Sequence, residues 1–298
     1  MTSGTNPGLR RFSKFTCFAT LFLIFVGGMV TSTDSGLAVP DWPLSYGTLF
    51  PPMVGGVFYE HGHRMTAAGV GVLTLFLTIW LGAKEERRWV RTLGLWALAA
   101  IVAQGVLGGL TVLFFLPTPI SVSHAVLAQS FFIVTILIAY SQSLERKSRD
   151  VNPVRDQISN GVNPKVLKLS LSFSMLVYIQ LLLGALLRHA GSGLASHLFF
   201  IHLLDAIALV VLLGCLNIGC IKIYKKKSRM MSTLCLLDIL VLTQLALGIA
   251  TVLTQKSVVV TSFHVATGAM VLGVSVLFIL RMAPLSLEKT RTLLLNMR

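Results

Sequence analysis

Charge is scarce in this chain. Only 12% of its 298 residues are charged, and acids are the rarer kind, with 11 Asp and Glu against 25 Lys and Arg. A surface that poor in charge excludes an ordinary soluble domain. Cysteine is scarce too. Cys17, Cys215, Cys220 and Cys235 all fall inside apolar runs and none in a connecting loop, so no disulfide framework is expected. A cleavable signal is also missing. The first apolar run is too long for a signal core and lacks a small-residue cleavage site, so it reads as a first transmembrane helix.

What remains is apolar: 54% of the residues, with a mean hydropathy of +0.80. Eight runs are long enough to cross a bilayer as helices, at roughly 20 residues each. They lie near 15–33, 63–83, 92–116, 120–141, 167–187, 198–221, 230–253 and 258–280. The pattern predicts an all-α membrane protein of eight transmembrane helices, arranged as two pseudo-symmetric four-helix bundles. Residues 1–142 form the first half, 143–165 a polar linker broken by Asn152-Pro153 and Asn163-Pro164, and 166–298 the second half. Residues 284–298 read as a basic amphipathic tail on the membrane surface.

The net charge of +14 could suggest a nucleic-acid partner, but its distribution argues against one. Of the 25 basic residues, 22 fall before the first run, after the even-numbered runs or at the C-terminus; Arg64, Arg188 and Lys256 fall on the opposite side. By the positive-inside rule both termini are cytoplasmic, and the partner implied is the lipid bilayer.

Two stretches repeat. Residues 104–112 read Gln-Gly-Val-Leu-Gly-Gly-Leu-Thr-Val and residues 244–252 read Gln-Leu-Ala-Leu-Gly-Ile-Ala-Thr-Val, each followed by a histidine, His124 and His264. Upstream, Ser-Gly-Leu-Ala occurs at 35–38 and at 192–195, followed by His63 and His202. The spacing from His63 to His124 is 61 residues and from His202 to His264 it is 62. One intramembrane histidine is usually a hydrogen-bonded core residue. Four at repeated spacing and one depth suggest two metal–porphyrin sites, because haem iron takes imidazole ligands from both faces of the ring. His61, His189 and His197 are placed in outward loops with solvent-facing roles.

The halves differ around the first pair. Glu60 precedes His63 by three residues and so shares its helix face, whereas the second half has Phe199 there. The carboxylate could stabilise positive charge on the macrocycle or act as a general base; it could equally be an acid favoured at a helix N-terminus. The loop 34–62 has a shorter partner at 190–197, by about 18 residues when the Ser-Gly-Leu-Ala matches and the histidines are aligned, and carries Pro40, Pro43, Pro51, Pro52, Trp42, Tyr46, Phe50, Phe58 and Tyr59. It is either a lid or rim over a substrate or an interfacial aromatic belt. Arg64 and Arg188 suit haem propionates or ordinary snorkelling. Gln104 and Gln244 suit helix packing or a porphyrin contact. Asp205 is a candidate to orient His202. Asp238 is a functional candidate by its place in the membrane, with no role assigned.

The run Gly27-Gly-Met-Val-Thr31, the segment Ser35-Gly-Leu-Ala-Val-Pro-Asp-Trp-Pro43, the motif Glu60-x-x-His63-Arg64, then Gln104, Leu107-Gly108-Gly109 and His124, together with His202 and His264, resemble the haem A synthase family across all eight helices. The resemblance implies an oxidoreductase of a prokaryotic cytoplasmic membrane. It would convert haem O to haem A for cytochrome oxidase by successive hydroxylation of the C8 methyl to a formyl group. It implies that His63 and His124 ligate the iron of the substrate haem O and that His202 and His264 ligate a resident haem b. Glu60 would be the catalytic residue beside the reacting methyl; Arg64 and Arg188 stay candidates for binding the cofactor's propionates on the reading given above. The partners implied are a haem O synthase and an unidentified electron donor; a homo-oligomer stays open. One departure stands out. Many bacterial members carry two cysteines in the first outward loop where this chain has Val39 and Ser45, so its site is expected to close by packing alone. Two other readings remain: a two-haem cytochrome b that only passes electrons, and a transporter, which would show helices broken near mid-membrane at matching positions such as Gly108-Gly109 and Gly248.

Overall fold

The computed structural model describes residues 6–146, 163–189, 192–224 and 228–282. Among these are eight long helices: α1 (Pro7–Ser32), α2 (Gly56–Lys84), α3 (Arg88–Leu113), α4 (Thr118–Ser141), α5 (Pro164–His189), α6 (Ser192–Ile221), α7 (Arg229–Leu253) and α8 (Val258–Met282). All eight are long and apolar enough to span a bilayer. The chain is a multi-pass membrane protein. Most of the expected linker and the C-terminal tail lie outside the described residues.

Several helices start earlier than the apolar runs. Helix α1 begins at Pro7, because Asn6 accepts hydrogen bonds from the N–H groups of Gly8 (3.0 Å) and Leu9 (3.1 Å), and a proline at the first position loses nothing. Helix α2 begins at Gly56, so His63 lies two turns inside it rather than at its start. Hydropathy marks the membrane-spanning stretch, while helical hydrogen bonding continues past it.

Each half has its own core. Leu9, Leu23, Val70, Leu77, Leu81, Val90, Ala97, Phe131 and Ile138 fill the first. The second centres on Phe173, Leu216, Leu234, Leu237, Leu272 and Phe278. A smaller seam of Ile24, Phe132 and Ala269 joins α1, α4 and α8. In lipid, helices associate through close packing rather than hydrophobic burial, so small residues set the distances. At the seam, a Cβ on Gly273 would stand 2.8 Å from Ile136 Cδ1 and 3.1 Å from the Phe132 ring, so any larger residue there must displace them. Buried hydroxyls bond back within their own helices, as Thr20 Oγ1 does to the Thr16 carbonyl (2.8 Å) and Thr74 Oγ1 to that of Val70 (2.8 Å), which removes them as site candidates.

The halves part company at one helix pair. Helices α2 and α3 pack closely: Thr78 Oγ1 donates to the Gly94 carbonyl at 2.9 Å, and Gly94 lies against Leu81. Helices α6 and α7 scarcely touch. A cavity of about 270 Å³ lies between them, lined by Leu213, Gly214, Val241 and Leu245 and spanned by Asn217 Nδ2 donating to Asp238 Oδ1 (2.8 Å). That hydrogen bond is the structural place of Asp238.

Candidate haem-ligand site

His63, His124, His202 and His264 sit on α2, α4, α6 and α8, six to ten residues past each helix start. That places them roughly 9–15 Å along the helix axis from its first residue. All four rings are half-buried, and each rests against a glycine of the preceding helix. A Cβ at Gly27 would lie 3.1 Å from the His63 ring, one at Gly108 3.3 Å from His124, one at Gly184 3.5 Å from His202 and one at Gly248 3.2 Å from His264. The glycine lets two backbones approach until the imidazole lies on the neighbouring helix, which fixes the ring.

In each ring Nδ1 is buried and has no hydrogen-bond partner. Among the described residues, Nε2 of His63 and of His124 makes no hydrogen bond and is not one of the buried, unpartnered atoms. The repeat pairs His63 with His124 and His202 with His264. Among the described residues no group of three or more His, Cys, Asp or Glu could hold a bare metal ion. Two imidazoles per site, seated in notches that a side chain would fill, therefore suit a metal whose other ligands come from a macrocycle. The donor set fits haem.

A glutamine one turn before the glycine recurs on three of the four preceding helices. Gln104 Nε2 donates to the His124 carbonyl at 2.8 Å, Gln180 Nε2 donates to that of His202 at 3.0 Å and lies 3.3 Å from its ring Nε2, and Gln244 Nε2 lies 3.4 Å from Nε2 of His264. Sequence reading found Gln104 and Gln244 and missed Gln180. The signal was Gln-x-x-x-Gly at 104/108, 180/184 and 244/248, visible once the comparison is made helix pair by helix pair rather than half by half. Helix α1 breaks the rule with Leu23 ahead of Gly27.

The loop 34–55 packs on α3 and bonds to α2 beside the first pair. Its Trp42 ring packs on Gly109, next to the glycine that seats His124; a Cβ there would come within 2.5 Å of the indole. Glu60, buried on α2, accepts from the Val39 N–H at 2.7 Å through Oε2 and from Arg64 Nη2 at 2.6 Å through Oε1. Arg64 Nη1 donates to the carbonyls of Asp41 and Leu44, both at 2.8 Å. His61 is buried rather than solvent-facing, with Nδ1 2.8 Å from Ser45 Oγ. Val39 and Ser45 are themselves almost wholly buried. The loop is thus fixed by a hydrogen-bonded network as well as by packing, which corrects the expectation of closure by packing alone. Asp41 stitches the loop tip. The Gly47 N–H (2.8 Å) foremost, then that of Tyr46 (2.7 Å) and the Arg64 charge, hold its carboxyl below the usual range against the opposing effect of burial.

The other expected residues are placed apart. Arg188 donates from α5 to the Thr31 carbonyl and, at 3.3 Å, to Asp34, joining the halves at the histidine end. Asp205 makes no hydrogen bond to His202, and its Oδ2 is buried without a partner. His189 ends α5, where its carbonyl accepts from Thr118 (2.9 Å), and His197 is exposed on α6. Helices α3 and α7 run unbroken through Gly108-Gly109 and Gly248, so the broken-helix feature of the transporter reading is not found there.

Among the described residues, eight helices long and apolar enough to span a membrane carry four histidines, each seated on a glycine of the preceding helix. Comparison with known proteins agrees. Residues 10–199 match the model of COX15-CtaA, the cytochrome oxidase assembly protein family, and the chain belongs to that family. It is similar to the heme A synthase of Halalkalibacterium halodurans, with 28% identity over 284 residues that cover 87% of this chain and 92% of the relative. The heme A synthase of Shouchella clausii is 26% identical over 276 residues, covering 85% and 89%. That of Exiguobacterium sibiricum is 30% identical over 200 residues, covering 64% and 62%.

Proposed function

We propose that this chain is a haem A synthase: an oxidoreductase that converts haem O to haem A for cytochrome oxidase, taking the C8 methyl to a formyl group by successive hydroxylations. In this reading His63 and His124 hold the substrate's iron, and His202 and His264 hold a resident haem b, with the histidine ends of the helices facing outward and both termini in the cytoplasm. The carrying observation is that four histidines share one seat while only the first pair lies beside a loop anchored by a buried carboxylate.

The residues of the first half then have separable tasks. The Gly27 and Gly108 notches orient the two imidazoles, so the macrocycle is fixed before anything reacts. Trp42 and the loop above it limit water at the site. Glu60, fixed between Arg64 and the Val39 N–H, is a preorganised negative charge beside a ligand turn and favours positive charge developing nearby. Because both its oxygens already accept strong hydrogen bonds, electrostatic stabilisation suits it better than proton abstraction. Haem b, when bound by the second pair, supplies one-electron chemistry.

The experiment is to purify the chain from cells that make haem O, extract its haems and separate them by chromatography with mass detection. Haem b together with haem O, hydroxylated haem O or haem A is the expected result. Haem b alone at two per chain, with haem O abundant in the cells, would overturn the synthase reading in favour of an electron-transfer cytochrome.

A further inference from the structure

The four histidine seats are alike in their glycine and unlike in what braces the histidine. His124, His202 and His264 each have a glutamine amide from the preceding helix at their own turn, within 2.8–3.4 Å of the carbonyl or the ring. His63 has none, because α1 carries Leu23 at that place and its side chain is buried in the apolar core. The residues flanking His63 reach the other way. Glu60, three residues before it, and Arg64, the residue after it, between them make five hydrogen bonds to loop residues: from the Val39 N–H and to the carbonyls of Asp41, Leu44 and Val39 and the Ser45 hydroxyl. The next residue along from Glu60, His61, adds another through Ser45. His124 and His202 are thus braced at their carbonyls by a neighbouring transmembrane helix, whereas Gln244 lies at Nε2 of His264, the nitrogen left to bind iron, and the helix turn that carries His63 is held by the loop.

We infer that His63 is the exchangeable ligand of the first site, and His124 its permanent anchor: substrate entry and product departure proceed by loss and recovery of the His63 bond as the loop 34–55 moves. This rests on the synthase reading, since only a substrate haem needs to leave. The second site has in His202, with Gln180 on its carbonyl, an anchor of the same kind as His124. The same logic makes Leu23 the residue that keeps the first site open to exchange, and Arg64 a positioning residue that transmits the state of the loop to His63.

The test uses the full-length chain purified in detergent from haem O-producing cells, mixed with excess apomyoglobin as haem acceptor. Released haem is identified by type, so that the O or A haem of the first site and the b haem of the second are followed separately. In the unaltered protein the O or A haem should leave first. Leu23→Gln should slow that release by about fivefold, the worth of one net hydrogen bond, and leave haem b unchanged. Arg64→Lys keeps the charge but loses the forked contacts to the loop carbonyls; it should speed release of the O or A haem and raise its high-spin fraction in the absorbance and electron paramagnetic resonance spectra, with haem b still low-spin. Finally, His63→Ala should retain the first haem as a high-spin, five-coordinate species, and His124→Ala should lose it. Loss on His63→Ala with retention on His124→Ala would overturn the inference, as would a release rate and spin state indifferent to both Leu23→Gln and Arg64→Lys. A preparation holding haem b and no haem of O or A type would instead overturn the synthase reading beneath it.

Discussion

In the first half of the chain a loop of some twenty residues packs beside the histidines, and α2 and α3 are in close contact; in the second half the corresponding connection is short and α6 stands off from α7 across a cavity. Yet the histidines themselves are seated identically, on Gly27, Gly108, Gly184 and Gly248. Ligand geometry has been kept the same while everything that governs access differs. Two sites with one ligand set can do two jobs when the cover, the charge beside the ligand and the bracing of the ligand helix change. That difference carries the functional reading, and it can be broken at several points.

The largest effect should follow from the second pair. His202→Ala or His264→Ala is expected to remove haem b entirely, read from the absorbance of the purified protein; full haem b content would end its assignment to these residues. Next comes the charge that has no counterpart in the second half. Glu60→Ala should leave haem b in place and lower haem A formation by about a hundredfold, comparable to removing one preorganised electrostatic partner. Unchanged product would take Glu60 out of the mechanism and leave it as the loop's anchor. A smaller effect is expected at Gly109→Ala. Its Cβ would come within 2.5 Å of the Trp42 indole, so the loop must lift from α3. Haem A formation should fall by at least about tenfold with haem b unaffected, in line with the sensitivity of catalysis to small misplacements. If product is formed at the normal rate, the loop is a belt at the membrane interface rather than a cover.

The number of helices and the identity of the four histidines were legible in sequence because each rests on a long-period pattern: apolar runs of bilayer length, and repeats about 60 residues apart. The helix starts were not, since Asn6-Pro7 and Gly55-Gly56 begin helices ahead of the apolar runs, where hydropathy does not mark them. The glycine seats were half legible. Gly108 and Gly248 stand inside the repeated segments, but their role appears only when the imidazole of the following helix is seen against them. Gln180 escaped because its counterpart in the other half is Leu23, so a half-by-half comparison hides it. The loop network was least legible of all. Nothing in the spacing of Val39, Ser45, Glu60, His61 and Arg64 says that a backbone N–H, a hydroxyl, a carboxylate, an imidazole and a guanidinium converge, because loop geometry has no period to read.

The closeness of α2 and α3 offers the last way to sharpen the contrast between the halves. At the end of the helices away from the histidines, the turn between them is tied down by Glu85. Arg87 grips this carboxylate through Nε and Nη2, both at 2.9 Å, Gln142 Nε2 donates to it from the end of α4 at 2.6 Å, and Arg87 also reaches the Ser141 carbonyl (2.9 Å). Burial on its own would raise the Glu85 carboxyl, but these hydrogen bonds and the Arg87 charge outweigh it and bring it down to about 2 from an ordinary 4.5. A carboxylate with its folded value depressed stabilises the fold fully above its unfolded value. That contribution is lost as pH falls from about 4.5 toward about 2. Thermal unfolding of the protein in detergent should therefore show a drop in midpoint across that window. Glu85→Gln should remove most of the drop while lowering the midpoint at neutral pH, because Gln142 and Arg87 lose their anion. The α6–α7 pair, bridged by one hydrogen bond across a cavity, should contribute little to the neutral-pH midpoint, so Asn217→Leu is expected to cost less than Glu85→Gln. The reverse order would mean that the open side of the second half is held as firmly as the closed side of the first.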